Sequence, residues 1–405
     1  MKSKEYELLK SLYYDHKDEY EALYKARIDS SECVHLNFTI ADNPAFFMET
    51  PELVKKVLEI SRLDKAISQL TNALPGIALK QYINKCLIDE IVITNNIEGV
   101  HSTRKEIGEI LEDLGGKSDK RFFGLVNKYT ALITESYIPI NDSKDVRFLY
   151  DEMFLSEIIE ENPNDKPDGV LFRKDPVDVV DSTQKVIHHG INPEDRIITS
   201  MNDAISILND SSIEPLFRIS IFHYLFGYIH PFYNGNGRLN RFISSYYLAN
   251  TLEPIMGYRL SYTIKENINR YYKSFKIVNE EINKGDITPF IFTYLEFIKE
   301  SAENLKSGLS ERAHRLEVLN EQLPSLPYGK DEKYSQLYYI LLQASLFSEI
   351  GIPTRELLEY LRISRPTLQK RLNDIDKHNL LITERRDSNK FYQLKLETIM
   401  RMTRN

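Results

Sequence analysis

Apolar side chains return at helical spacing from residue 4 to about residue 27 (Leu8, Leu9, Leu12, Tyr13, Tyr20, Leu23, Tyr24). The same period resumes from 51 through 114, with one break at Pro75-Gly76, so this half of the chain is expected to be α-helical. Gly115-Gly116 closes that block, and a further helical stretch from about 121 to 138 stops before Pro139. Residues 162–169 form a polar turn cluster. After it, Val177, Val179 and Val180 alternate with polar neighbours, and 185–188 mirrors them across Asp181, Ser182, Thr183 and Gln184, the pattern of a β-hairpin. Helices resume from 193 to the region of Phe290 and continue, strongly charged, from 300 to 321. Within them, 216–229 is broken only by Arg218 and His223 and is too short to span a bilayer, so it reads as a buried core helix. Pro324 and Pro327 mark a linker. Beyond it the pattern predicts helices over 333–346, 354–360 and 365–378, then two strands, 380–383 and 390–394, around 384–389. No internal repeat is visible, which argues against solenoids and propellers.

A chain of 405 residues is long for one domain, and the boundaries suggest an N-terminal helical region over 1–115, a core over 116–300, a helical linker over 301–330 and a C-terminal domain over 331–405. Hydrophobic residues at 42% and charged ones at 28% exclude disordered and collagen-like classes. The net charge of -8 disfavours non-specific adhesion to nucleic acid or anionic membrane over the whole surface, while leaving room for a local basic patch. Cys33 and Cys86 are the only cysteines, so neither a disulfide framework nor a cysteine zinc site is available, which fits a reducing cytoplasm. The first twenty residues lack the uncharged stretch of a signal peptide, and a cytoplasmic location without membrane attachment is expected.

The candidate chemistry lies in His230-Pro231-Phe232-Tyr233-Asn234-Gly235-Asn236-Gly237-Arg238-Leu239-Asn240-Arg241, a loop between two core helices. Gly235 and Gly237 allow a tight turn whose amides point inward, and a helix start carries partial positive charge, so the segment can cradle phosphate. Arg238 and Arg241, three residues apart on one helix face, add two permanent cations that can serve successive phosphates of a nucleoside polyphosphate. His230, at the mouth of the loop, is a side chain that can be neutral near pH 7 and take a proton from an attacking hydroxyl.

This loop resembles the signature of the Fic family, His-x-Phe-x-(Asp or Glu)-Gly-Asn-Gly-Arg-x-x-Arg, and matches seven of its eight specified positions. The resemblance implies a mainly α fold, a Fic-type helical core with a β-hairpin flap, and transfer of AMP from ATP to a Ser, Thr or Tyr hydroxyl of a target protein, the chain itself being one candidate target. It implies His230 as the base, Gly235, Asn236 and Gly237 around the α-phosphate, Arg238 and Arg241 on the β- and γ-phosphates, and Phe232 as a packing residue. Asn234 stands where the family has the carboxylate that binds magnesium. An amide oxygen is the weaker ligand, so Mg²⁺ or Mn²⁺ use through Asn234 is expected to be weakened.

Upstream, Thr94-Asn95-Asn96-Ile97-Glu98-Gly99 is similar to the family's inhibitory motif, which implies that Glu98 pairs with Arg241 and blocks productive γ-phosphate placement. In some relatives this glutamate positions water for removing AMP. The hairpin over 177–188 corresponds in position to the flap that pairs with a target backbone. Tyr271-Tyr272 and 283–291 resemble the segment that closes the nucleobase pocket, implying Tyr272 and Asn283 near adenine. The C-terminal pattern resembles a winged helix-turn-helix: Ser364 is a plausible N-cap, Pro366 lies in the first turn, and Gln369, Lys370 and Asn373 occupy the exposed face. From 364 to 392, seven Lys or Arg face four acids, a local balance of +3. DNA contact is one expectation for it, a partner or dimer module another, and a homodimer is expected. Two alternatives stand beside the adenylyltransferase reading: a DNA-binding regulator whose Fic-like site senses ATP, and a Fic enzyme using another nucleotide donor.

Overall fold

The computed structural model describes residues 6–14, 16–114, 120–132, 134, 137–180, 186–386 and 389–402. Gly115 and Gly116, the turn residues Asp181 to Gln184, and Asp387 and Ser388 lie outside them. The architecture is mainly α, with three small antiparallel sheets among the described residues. The chain divides into two compact units, one of residues 1–64 and 88–303 and one of 65–87 and 304–405.

The first unit is built around helix Pro215–Ile229. Eleven of its fifteen residues are buried, as its nearly unbroken apolar run requires, and the Glu214 carboxylate caps it by accepting from Phe217 N–H. Helices Glu194–Leu208 and Asn236–Thr251 pack against it. The segment before the hairpin Asp178–Val180/Val186–His189, to which periodicity assigns no element, is also helical. Asp142 caps helix Ser143–Tyr150, a π turn follows at Asp151–Leu155, and helix Ser156–Glu161 completes the run.

Strands Cys33–Ile40 and Asn43–Met48 are absent from the expectation of an all-helical N-terminal half. Leu36, Phe38 and Ile40 are buried in strict alternation, and in the second strand Phe46, Phe47 and Met48, which pair with His35, Val34 and Cys33, are buried as well. Ala41 and Asp42 both have positive φ, 47° and 61°, the backbone a two-residue hairpin turn demands. This hairpin extends to a distant segment, since Phe46 N–H donates to Gly285 O and Ile287 N–H to Phe46 O.

Helices Leu9–Tyr13 and Lys17–Ile28 bind the same distant turn. Tyr20 Oη donates to Ile282 O (2.8 Å), Lys10 pairs with Glu280 (2.7 Å), and buried Arg27 pairs with buried Asp286 (3.1 Å) beneath the Tyr6 ring. Tyr6 Oη donates to the same Asp286 carboxylate.

In the second unit, helices Glu332–Phe347, Thr354–Leu361 and Arg365–Asp376 precede strands Leu381–Arg386 and Asn389–Leu394, in the expected order. Ser364 caps the third helix by accepting from Thr367 N–H, as its position suggests. A two-residue strand, Ile352–Pro353, pairs with Asn389–Leu394 on the side away from Leu381–Arg386, and helix Leu396–Met402 follows. Neither element was signalled by the sequence pattern.

Candidate active site

His230 ends helix Pro215–Ile229 in the left-handed conformation (φ 52°), its N–H closing the helix onto Phe226 O. A non-glycine residue there is uncommon and must be held by its surroundings. Phe232 is fully buried, stacked on Tyr150 with centroids 3.7 Å apart and edge-on to Phe172. Asn236 staples the loop, accepting from Phe232 N–H (2.9 Å) and donating back to Phe232 O (2.8 Å). Gly235 has φ 81°, and a Cβ on it would press on Ile158 and Tyr150, so glycine is required both by conformation and by space. Helix Asn236–Thr251 then starts, carrying Gly237, Arg238 and Arg241.

A cavity enclosing about 210 Å³ lies over this loop. His230, Asn236, Gly237, Asn240 and Arg241 line it from the loop side, Glu98 from the end of helix Gly76–Ile97, and Asp178, Val179 and His188 from the hairpin Asp178–Val180/Val186–His189. Tyr271, Tyr272, Phe275 and Asn279 of helix Ile268–Asn279 form the opposite wall. Thus the structure brings together His230, Asn236, Gly237, Arg241, Glu98 and Tyr272 of the residues singled out above. Gly235, Asn234, Arg238, Thr94 and Asn283 do not line the cavity.

Each of these five has another setting. Thr94 holds Arg241, accepting from its Nε at its Oγ1 (2.7 Å) and from its Nη2 at its carbonyl (3.0 Å). Arg238, 0% exposed, donates from Nη1 to Glu157 Oε1 (2.7 Å) and stands over the Phe154 ring. Its Nε and Nη2 have no partner among the described residues. Asn283 is buried in the turn after helix Ile268–Asn279 and donates to Asp286 O, so the asparagine of this segment that reaches the cavity is Asn279, whose Oδ1 accepts from Tyr224 Oη (2.7 Å). The signal for Asn279 was its place one turn before the expected Asn283.

Asn234 accepts from Gly235 N–H at its Oδ1 (2.6 Å) and donates from Nδ2 to Asp165 Oδ2 (3.2 Å). Its amide oxygen is already engaged, and no group of three or more His, Cys, Asp or Glu able to hold a metal ion occurs among the described residues. These donors do not fit a protein-held divalent cation at Asn234.

One ion pair dominates the electrostatics of the cavity. Arg241, 1% exposed, donates from Nη2 to Glu98 Oε1 at 2.8 Å, within the one chain, while the Glu98 side chain keeps 29% of its surface exposed. Gly99 (φ 73°) turns the backbone out of the helix just after Glu98. A methyl group at Gly237 would collide with the Glu98 carboxylate, so glycine there leaves room for the contact.

His230 is pulled down to about pKa 4, first by loss of solvation and then by the Arg173 charge, against the opposing effect of Glu98. Loss of solvation likewise holds His188 at about 4, its ring stacked on Tyr228 and its Nε2 donating to Tyr228 O (2.8 Å). Both imidazoles are therefore neutral at pH 7. In each case the folded value lies below the ordinary 6.5, so the stability they confer is complete above pH 6.5 and is lost as the pH falls toward 4. Denaturant midpoints taken at pH 7, 5.5 and 4.5 should fall in that order, and less steeply for His188→Gln.

Residues 142–248 match the family model of the Fic/DOC family, so a Fic domain accounts for that part of the chain. Over 111 residues it is 31% identical to the protein adenylyltransferase Fic of Drosophila ananassae, an alignment covering 27% of this chain and 20% of that protein. It is 28% identical over 193 residues to the protein adenylyltransferase fic-1 of Caenorhabditis elegans, covering 43% and 35% respectively. The chain thus spans about a third or less of the length of these curated relatives. A solved Fic family protein from Desulfovibrio desulfuricans superposes with a TM-score of 0.52 over 89% of this chain and 98% of that one, at 19% identity, a likeness of fold.

Proposed function

We propose that this chain is a protein adenylyltransferase: it moves AMP from ATP to a Ser, Thr or Tyr hydroxyl of a protein and is restrained by its own Glu98. One observation carries the reading. A neutral histidine fixed at a helix end opens on the same cavity as a glycine-rich helix start and a buried arginine, and that arginine is held by a glutamate from a segment far away in sequence. In the proposed step the target hydroxyl oxygen attacks the α-phosphorus and its proton passes to the imidazole of His230. The bond to the bridging oxygen breaks, and pyrophosphate leaves with that electron pair. Backbone amides at the start of helix Asn236–Thr251 stabilise charge on the transferring phosphate. Arg241 accepts the terminal phosphate once Glu98 withdraws, and Arg238 supports the loop from behind through Glu157. Tyr272 and Asn279 face the base. The edge of the hairpin Asp178–Val180/Val186–His189 presents main-chain groups for an extended target segment. No step is assigned to a metal, because Asn234 is committed to Gly235 and Asp165.

The test is to incubate wild type, Glu98→Gly, and Glu98→Gly with His230→Ala with cell protein and ATP labelled at the α- or the γ-phosphate. Label from α-labelled ATP alone, strongest in Glu98→Gly and absent from the double variant, supports the proposal. Label from the γ-position, or none from any variant, overturns it. Competition by UTP and CTP separates other nucleotide donors. The sparse cysteines support a cytoplasmic setting for this proposed activity; among the described residues no helix is long and apolar enough to cross a membrane.

A second activity is favoured by the C-terminal unit, where Arg355, Arg365, Arg385 and Lys390 surround one concavity together with Thr354 and Asn389. The start of helix Arg365–Asp376 and the adjoining strands thereby present cations to a phosphodiester backbone. Duplex DNA should bind with a log–log salt slope that drops by about 2 in the double variant Arg365→Ala, Lys390→Ala. An unchanged slope assigns this face to something other than DNA.

A further inference from the structure

Arg173 is one of three fully buried arginines of the first unit, 0% exposed, and unlike Arg238 and Arg241 it has no carboxylate partner among the described residues. Its guanidinium spends itself on backbone carbonyls instead. Nε donates to His230 O (2.9 Å), Nη1 to Asp175 O (2.7 Å), and Nη2 to Ile191 O (2.8 Å) and, at 3.5 Å, to Ile229 O. Its own N–H donates to Pro231 O (3.2 Å), so one residue reaches three consecutive residues of the loop, 229 to 231.

Asp175 and Ile191 are the two feet of the hairpin, lying just before Asp178–Val180 and just after Val186–His189. The feet are also tied by Gly190 N–H to Val177 O and Ile191 N–H to Ile229 O. Gly190 is a glycine because a Cβ there would drive into the guanidinium. Five donors in a rigid planar fork suit this junction, and an ammonium on a flexible stem does not.

The geometry points to Arg173 as a positioning residue that locks the histidine in its left-handed cap and sets it in register with both feet of the hairpin. The inference rests on His230 acting as the base and the hairpin presenting the target. The buried cation has a second effect on the same imidazole, because it opposes protonation. The groups facing His230 are Arg173 from the segment before the hairpin, Glu98 from the turn just after helix Gly76–Ile97 and His188 from the hairpin, with Asp178 and Arg241 on the walls of the same cavity. Arg173 and His188 oppose a proton on the ring, and Glu98 favours one.

The experiment compares Arg173→Met, which removes charge and fork, with Arg173→Lys, which keeps the charge and loses the fork, both on Glu98→Gly. Each is read by the imidazole titration of His230 in NMR spectra, assigned with His230→Ala, by amide exchange at Gly190 and Ile191, and by kcat and KM. In Arg173→Met the His230 titration should rise by about one pH unit. In Arg173→Lys it should stay put, while exchange at Gly190 and Ile191 speeds up and kcat falls on the order of a hundredfold with KM for ATP unchanged. An unmoved titration in folded Arg173→Met, or unaltered exchange and kcat in Arg173→Lys, overturns the assignment. Should Arg173→Met not fold, Arg173→Lys decides alone. Titration and exchange need no turnover, so failure of AMP transfer in every variant would count against the function proposed above and leave this assignment to be judged by NMR.

Discussion

Glu98→Gly is expected to raise the rate of AMP transfer by roughly tenfold to a hundredfold at subsaturating ATP. The Glu98 carboxylate occupies Arg241 at 2.8 Å, and a phosphate must displace it to gain the same guanidinium. A hydrogen bond to a charged group is worth about 1.5–3 kcal/mol, which sets that range. Arg241 keeps two bonds to Thr94 after the change, so its aim survives. The glutamate side chain is 29% exposed, which limits the stability lost with it to about 1–2 kcal/mol. Steady-state transfer from α-labelled ATP checks the rate, and a melting curve checks that the gain comes without unfolding. A rate equal to wild type would mean that Glu98 is no brake.

His230→Ala on that background should lower kcat by about 10²–10⁴ and leave ATP affinity within a few-fold. His230 contacts the loop carbonyls through Arg173 and the helix through its N–H, and the groups proposed to meet the phosphates are Gly237 and Arg241, so in this proposal binding and base catalysis rest on different residues. Alanine is strained at φ 52°, whereas asparagine tolerates that region, so His230→Asn separates loss of the base from loss of the cap. Equal losses in both variants identify the imidazole. Recovery in His230→Asn would mean the cap alone matters.

What the sequence disclosed follows from how close the informative residues lie along the chain. The span from His230 to Arg241 holds the histidine, glycines and arginines in twelve consecutive positions, and the helix before it is too apolar to lie anywhere but the interior. The hairpin at Asp178–Val180/Val186–His189 and the C-terminal elements carried local periodicity and turn residues, and the chain follows them. Glu157, the partner of Arg238, was hidden because the π turn at Asp151–Leu155 interrupts the 3.6-residue period of its segment. Strand Cys33–Ile40 did alternate, but the helical pattern on either side drew it into a helical reading. Asn279 and Asn283 are separated by one turn, and which of them meets the cavity depends on where helix Ile268–Asn279 stops. Arg173 binds only carbonyls, which every residue possesses, so no residue type elsewhere betrays its role.

Tyr6 and Asp286 are joined across 280 positions of sequence. During synthesis the N-terminal helices leave the ribosome without the turn they will clasp, and at 5–20 residues per second they wait roughly 15 to 55 s for it. Until then Leu9, Leu12 and Tyr20 have Tyr13, Leu23 and Tyr24 of their own two helices to pack against. Such distant closure is slow and leaves apolar surface uncovered, so nascent chains halted before residue 286 are the form in which chaperone engagement and aggregation should concentrate.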